Sequence, residues 1–206
     1  MSAKKNLNKN SPSDLHGNAS APAVRATQTV TPLLLALCAP RILNLINILI
    51  FGNSGSGKST FAKNLCEAHG LAHLDLDTLA WKPTVPPKRK SVEESGKEID
   101  IFIKSHEGWA IEGCYTDLLE LVEEYSSEII FMNLPVEACI SNAKNRPWEP
   151  HKYESKEEQD KNLEMLIGWI GQYTERNDTF SEVSHLKFYD NYCGQKRMVT
   201  RNEKYT

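Results

Sequence analysis

The sequence predicts an α/β fold in three layers, a five-stranded parallel sheet between two layers of helices. Two observations carry this. From Ile42 onward, apolar runs of strand length alternate with stretches of helical length, the pattern of a parallel sheet covered on both faces. The first of those runs leads directly into a glycine-rich turn and then a helix, so the chain opens its core with a strand–loop–helix unit.

The elements follow in order. Ile46–Phe51 is the first strand, and a helix runs from Lys58 to His69, where Gly70 ends it. Ala72–Leu76 reads as the second strand. Pro83, Pro86 and Pro87 make the following segment a loop, and Val92–Ser105 has helical composition. Trp109–Glu112 is a short third strand ending at Gly113, and Thr116–Tyr125 reads as helix. Ile129–Leu134 is a buried fourth strand. Pro135 suits the first turn of a helix reaching Asn145. Arg146–Ser155 is a polar, proline-interrupted insert, a long helix is expected over Lys156–Arg176, and Leu186–Tyr189 reads as the fifth strand.

Residues 1–41 differ from this core. They are rich in Asn, Ser, Ala, Pro and Thr and carry five basic side chains against Asp14 alone, so the remainder holds a net charge of about −7. Three readings stand side by side: a flexible extension, an organelle transit peptide, or a signal-peptide core at Leu33–Ala39. The domain therefore spans 42–206. The overall charge of −3 offers no basic footprint for nucleic acid. No apolar run approaches the length of a membrane span. The five cysteines are scattered and odd in number, and they form no C-x-x-C, which suits free thiols in a reducing compartment; the expected location is cytoplasmic, or organellar if residues 1–41 are a transit peptide.

The loop after the first strand, Gly52-Asn53-Ser54-Gly55-Ser56-Gly57-Lys58-Ser59-Thr60, is a Walker A sequence in its confirming context. A triphosphate is a dense anion that needs many donors with nothing between them and the ligand. Glycines supply positive-φ backbone with bare N–H groups, and the helix N-terminus adds unpaired N–H groups and a favourable dipole. Lys58 is then expected on the β- and γ-phosphates and the Ser59 hydroxyl on Mg²⁺. The predicted fold is accordingly a P-loop NTPase fold, with ATP and Mg²⁺ as cofactors.

Ligands on such sheets bind outside the carboxyl ends of the strands, which directs attention to Asp75–Asp77, Glu112–Tyr115 and Asn133–Pro135. In an extended strand Asp75 and Asp77 share one face, where Asp75 would join Ser59 on the metal and Asp77 would orient an acceptor hydroxyl. Either could instead cap the next helix. Arg146 and Arg176 are candidates to place positive charge on the transferring group. Asn133 stands where a Walker B strand ends in Asp. The short run Lys88-Arg89-Lys90 reads as solvated.

These stretches resemble the nucleoside-monophosphate-kinase-like branch of the P-loop kinases, in particular the adenylate-kinase-related topology modulation proteins. The likeness is carried by Gly52–Thr60, Leu76–Trp81, Trp109–Tyr115 and Ile130–Pro135 and extends over about residues 46–190. Shikimate kinases are a more distant likeness, through Asp75-Leu76-Asp77 and Arg146-Pro147, although their Phe-Arg pair and triple glycine are absent. The resemblance implies strand order 2-3-1-4-5 and a small lid over about 146–155. The expected activity is transfer of the γ-phosphoryl group of ATP to the hydroxyl or phosphate of a small-molecule acceptor, by a monomer or homodimer. The alternative is a nucleotide-binding regulator with little turnover, motivated by Asn133. A GTPase lacks support, since no Asn-Lys-x-Asp follows the fourth strand, and the core is too short for a large motor ATPase.

Overall fold

The computed structural model describes residues 45–149 and 154–202. The readings of residues 1–41 and of the middle of the lid fall outside the described residues. Five parallel strands form the sheet: β1 (Asn47–Gly52), β2 (Ala72–Asp75), β3 (Trp109–Gly113), β4 (Glu128–Met132) and β5 (Gln195–Val199). Their order is β2-β3-β1-β4-β5, as the 2-3-1-4-5 expectation requires. Around them lie α1 (Lys58–His69), α2 (Asp77–Ala80), α3 (Val92–Ser105), α4 (Thr116–Leu119), α5 (Val136–Lys144), α6 (Lys156–Lys161), α7 (Leu163–Gly171) and α8 (Glu182–Asn191).

Both faces of the sheet are covered, which explains why its central strands read as unbroken apolar runs. On β1, Ile48 and Ile50 join Phe61, Ala62 and Cys66 of α1, Cys139 of α5 and Ile170 of α7 in one core. Leu49 and Phe51 point the other way, into a core shared with Leu76, Ile99 of α3, Leu118, Leu119 and Phe188 of α8. On that second face Phe51 stacks on Phe131 of β4 with ring centroids 4.9 Å apart.

Local chemistry sets several boundaries. Gly70, in left-handed conformation at φ 67°, closes α1 and donates its N–H to the Cys66 carbonyl. A capping box starts α3: the Ser91 hydroxyl accepts from the Glu94 N–H, and the Glu94 carboxylate accepts from the Ser91 N–H.

Three expectations are corrected. Leu186–Tyr189 lies inside α8, capped by Ser181, because His185 and Phe188, three apart, bury one helical face against the aromatic side of β1 and β4. The fifth strand is the polar Gln195–Val199, an edge strand mostly open to solvent and, among the described residues, paired only with β4. The long helix over 156–176 is broken at Asn162 into α6 and α7 and ends in a 3₁₀ turn, and Thr116–Tyr125 is α4 followed by a separate 3₁₀ turn. The proline loop is also more ordered than expected: Trp81–Lys82 and Lys88–Arg89 pair as a short antiparallel ladder.

Candidate active site

The loop between β1 and α1 is shaped by contacts that exclude side chains. Gly52 (φ 144°) and Gly55 (φ 75°) would each bring a β-carbon to 2.4 Å from a carbonyl oxygen, of Met132 and of Cys139 respectively. Gly57 (φ 89°) precedes α1, which has no side-chain cap and no acidic residue in its first turn. Its N-terminal N–H groups and dipole are therefore left for an anion. Two amides brace the loop. Asn53 Nδ2 donates to the Ile170 carbonyl of α7 at 3.2 Å, and Asn142 Nδ2 of α5 donates to the Gly55 carbonyl at 2.9 Å. Lys58, only 8% exposed, donates its Nζ to the Asn53 carbonyl at 2.9 Å. The buried Ser56 Oγ has no hydrogen-bond partner. A loop of this form, with a fold-back lysine and open donors, has the chemistry of a phosphate cradle.

Beside it is a carboxylate that the sequence reading passed over as a charged group. Glu112, the last residue but one of β3, is in register with Asp75 of β2 and Ile50 of β1, so its side chain emerges on the loop's side of the sheet. It is 2% exposed, with the Ser59 hydroxyl beside its carboxylate and Oε1 without a hydrogen bond. Burial, reinforced by the Asp75 charge, pushes its pKa up to about 7, while Lys58 and Ser59 pull it down. His73 Nε2 lies 3.8 Å from Oε1. The available signal was a lone carboxylate at the end of an otherwise apolar strand.

Asp75 and Asp77 do not share a strand face. β2 ends at Asp75 and Asp77 is the first residue of α2, so the i, i+2 expectation is corrected. Asp75 Oδ1 accepts from the Asp77 N–H at 2.9 Å and its carbonyl accepts from Thr78 Oγ1, which turns the chain into α2. Asp77 is thereby aimed into the cleft, where its Oδ1 accepts from the Tyr115 hydroxyl at 2.6 Å. That hydroxyl accepts in turn from Trp81 Nε1 at 2.8 Å. Burial raises the Tyr115 pKa, so it remains an O–H donor. Cys114 also lines the cleft, but burial pushes its thiol up to about 12, which leaves no thiolate nucleophile.

A cleft of about 820 Å³ opens at the carboxyl ends of the strands, lined by Ser54–Thr60, Asp77, Glu112 and Arg146 among others. That volume is ample for a nucleotide-sized ligand. Arg146 pairs through Nη1 with Glu149 Oε2 at 3.0 Å. The buried Gln159 of α6 holds this segment, donating to the Pro147 carbonyl at 3.1 Å and accepting from the Glu149 N–H at 2.8 Å.

The structure thus brings Ser54 through Thr60, Asp77 and Arg146 to one cleft, with Asp75 paired directly opposite Glu112 on the neighbouring strand. It does not bring Arg176 there: that guanidinium sits 3.5 Å over the Trp169 ring and pairs with Asp178. Gly52 and Asn53 shape the loop from behind rather than line the cleft. Asn133 follows β4 and does not line it either. Nor is the Lys88–Lys90 run simply solvated, since Arg89 is half-buried against Asp117.

No protein-family model matches the chain. Among curated proteins it is 26% identical over 145 residues to the uncharacterized protein YqaC of Bacillus subtilis (strain 168), covering 70% of this chain and 73% of that one. Among solved structures it is similar to shikimate kinase from Acinetobacter baumannii in complex with shikimate. That similarity has 16% identity and a TM-score of 0.46 and covers 78% of this chain and 86% of the other.

Proposed function

We propose that the chain is an ATP-dependent small-molecule kinase that transfers a γ-phosphoryl group to a hydroxyl or phosphate acceptor. The observation that carries this reading is the convergence of Lys58, Ser59, Asp77 and Arg146 on one cleft, at a loop whose glycines leave its backbone bare.

The residues present fit both nucleotide and metal. The cradle has no room for a β-carbon at Gly52 or Gly55, and Ser56 Oγ and Glu112 Oε1 are buried polar atoms still lacking hydrogen bonds. Ser54 through Thr60 would surround the phosphates, with Gly52 and Asn53 holding the loop's shape. Ser59 and Asp75 would hold Mg²⁺, and Glu112 adds the carboxylate that Asn133 does not provide. Bound Mg²⁺ would neutralise charge on the phosphoryl oxygens.

The chain's own groups then have distinct tasks. Lys58 exchanges the Asn53 carbonyl for phosphate oxygens and stabilises charge that grows during transfer. Asp77, fixed by the Tyr115 O–H, orients the acceptor hydroxyl and accepts its proton. Arg146 exchanges Glu149 for the transferring group as the lid segment excludes water.

The test is phosphoryl transfer from labelled ATP with Mg²⁺ to nucleoside monophosphates, shikimate, gluconate and simple alcohols. We expect a labelled product, a loss of roughly 10³-fold or more with Lys58→Ala, and a loss of about 10²–10⁴-fold with Asp77→Asn. Turnover unchanged by Lys58→Ala would sink the proposal. Tight ATP binding without any product would instead favour the regulatory reading, for which the uncharged Asn133 after β4 is the specific motive.

A further inference from the structure

The Tyr115 hydroxyl sits between two partners whose chemistry gives it one direction. Trp81 Nε1 donates to it at 2.8 Å, and it donates to Asp77 Oδ1 at 2.6 Å. An indole N–H only donates and a carboxylate only accepts, so the hydroxyl proton is directed at Asp77. A phenolic O–H otherwise turns to suit its surroundings. Here the indole takes up a lone pair of the hydroxyl oxygen and leaves the Asp77 carboxylate as the acceptor.

Local structure brings the three groups together. Asp77 opens α2 and Trp81 follows its last residue, so the two are four apart across a single helical turn and lie on one side of it. Tyr115 comes from the turn between β3 and α4, and its hydroxyl bonds to both. Trp81 also begins the short antiparallel ladder, where its cross-strand partner is Arg89. The Arg89 guanidinium lies 4.4 Å over the Tyr115 ring and is itself tethered, its Nη2 donating to both carboxylate oxygens of Asp117 at 3.2 Å. The ladder therefore holds Tyr115 twice, by its hydroxyl through Trp81 and by its ring face through Arg89. The far end of α2 is fixed as well: the Ala80 carbonyl accepts from the Lys90 N–H at 2.9 Å, and the Leu79 carbonyl from the Ser95 hydroxyl of α3 at 3.1 Å. Core packing does not account for Trp81, which is 39% exposed where Trp109 is 1% exposed. An indole that open to solvent could give its N–H to water; instead the N–H is turned inward, one hydroxyl away from the carboxylate that faces the cleft.

We propose that Trp81 is a positioning residue for Asp77: its indole N–H fixes the direction of the Tyr115 O–H, and that hydroxyl holds the carboxylate in place at the cleft. The part Asp77 plays in transfer rests on the kinase reading, but the hold on its carboxylate does not and is testable without turnover.

The experiment replaces Trp81 in the full-length protein with β-(3-benzothienyl)alanine, which keeps the bicyclic ring but has sulfur in place of the N–H. The carboxyl carbon of Asp77 is observed by NMR in aspartate-labelled protein at neutral pH, its resonance assigned by its loss in Asp77→Asn. Tyr115→Phe, which removes only the hydroxyl, is the second variant. We expect the Asp77 resonance to move in the benzothienyl protein and in Tyr115→Phe, in the same direction. A resonance that stays in place when the indole N–H is removed overturns the proposal, because Trp81 then serves by its bulk alone. In transfer assays the benzothienyl protein should lose about tenfold in kcat, the effect of one hydrogen bond, with the KM for ATP unchanged. An unchanged kcat in a protein that does transfer phosphate also overturns the proposal. A moved Asp77 resonance in a protein that transfers no phosphate would leave this hold standing while the kinase reading fell.

Discussion

At Gly55 a β-carbon would sit 2.4 Å from the Cys139 carbonyl oxygen, whereas at Gly57 the nearest atom, Met132 Cε, is 3.9 Å away. Both glycines have positive φ, so alanine is strained at either, but only Gly55 adds a collision with backbone. Gly55→Ala should therefore cost on the order of 3 kcal/mol and Gly57→Ala about 1–2 kcal/mol, measured by urea unfolding. Equal losses would mean that α5 gives way freely. His185 supports a second prediction. The Cys114 carbonyl can only accept, so the His185 proton is on Nε2 and Nδ1 accepts from the Tyr173 hydroxyl. Burial holds its pKa down to about 4 against an ordinary 6.5. A depressed histidine contributes stability that is complete above the unfolded pKa and is lost as pH falls through the folded one. The wild type should lose on the order of 3 kcal/mol between pH 6.5 and 4 from this group. His185→Gln should lack that part of the acid slope in urea titrations, and an unchanged slope would refute the assignment.

Elements obey both local and distant rules, and α3 is a local case. Its capping box is written in Ser91 and Glu94, and the bond from the Ser91 N–H, with Lys82 nearby, holds the Glu94 carboxyl down to about 2. Ser91→Ala should cost about 1 kcal/mol in thermal or urea unfolding, with no change in nucleotide affinity. α8 and β5 are the distant case. Leu186-Lys187-Phe188-Tyr189 has strand-like composition, yet it is helical because the apolar face of the sheet takes up His185 and Phe188 at helical spacing. Gln195–Val199 shows no apolar run, yet it is a strand because β4 offers it an open ladder. A ladder of backbone hydrogen bonds leaves little trace in side chains, so this edge was not legible. The central strands were, since burial on both faces requires apolar residues throughout. The same division holds in the site. Gly52–Thr60 is local and could be read directly, whereas Glu112 and Tyr115 acquire meaning only when β3 and α2 meet.

For the whole molecule, residues 146–149 are tied to α6 through the buried amide of Gln159. Gln159 ties Pro147 and Glu149 to α6 and so sets where Arg146 stands. If the chain is the kinase proposed above, Gln159→Ala should loosen that tie and raise acceptor-independent ATP hydrolysis about tenfold relative to transfer, because water is then less well excluded. An unchanged ratio, read by product analysis, would show that the segment closes without this tie. No helix of the described residues is long and apolar enough to cross a membrane. The sequence alone determined the layered α/β core and the phosphate loop, because both are fixed by near neighbours in the chain: strand burial, glycine backbone freedom and a helix start. Only the tertiary structure decided which charges face that loop. It turned Asp75 into the brace of Asp77, placed Glu112 against Ser59, and stacked Arg176 on Trp169 instead of beside that loop. The physical reason is that a charge acts over a few ångströms of space, and the residues within that reach are brought there by packing between elements far apart in the chain.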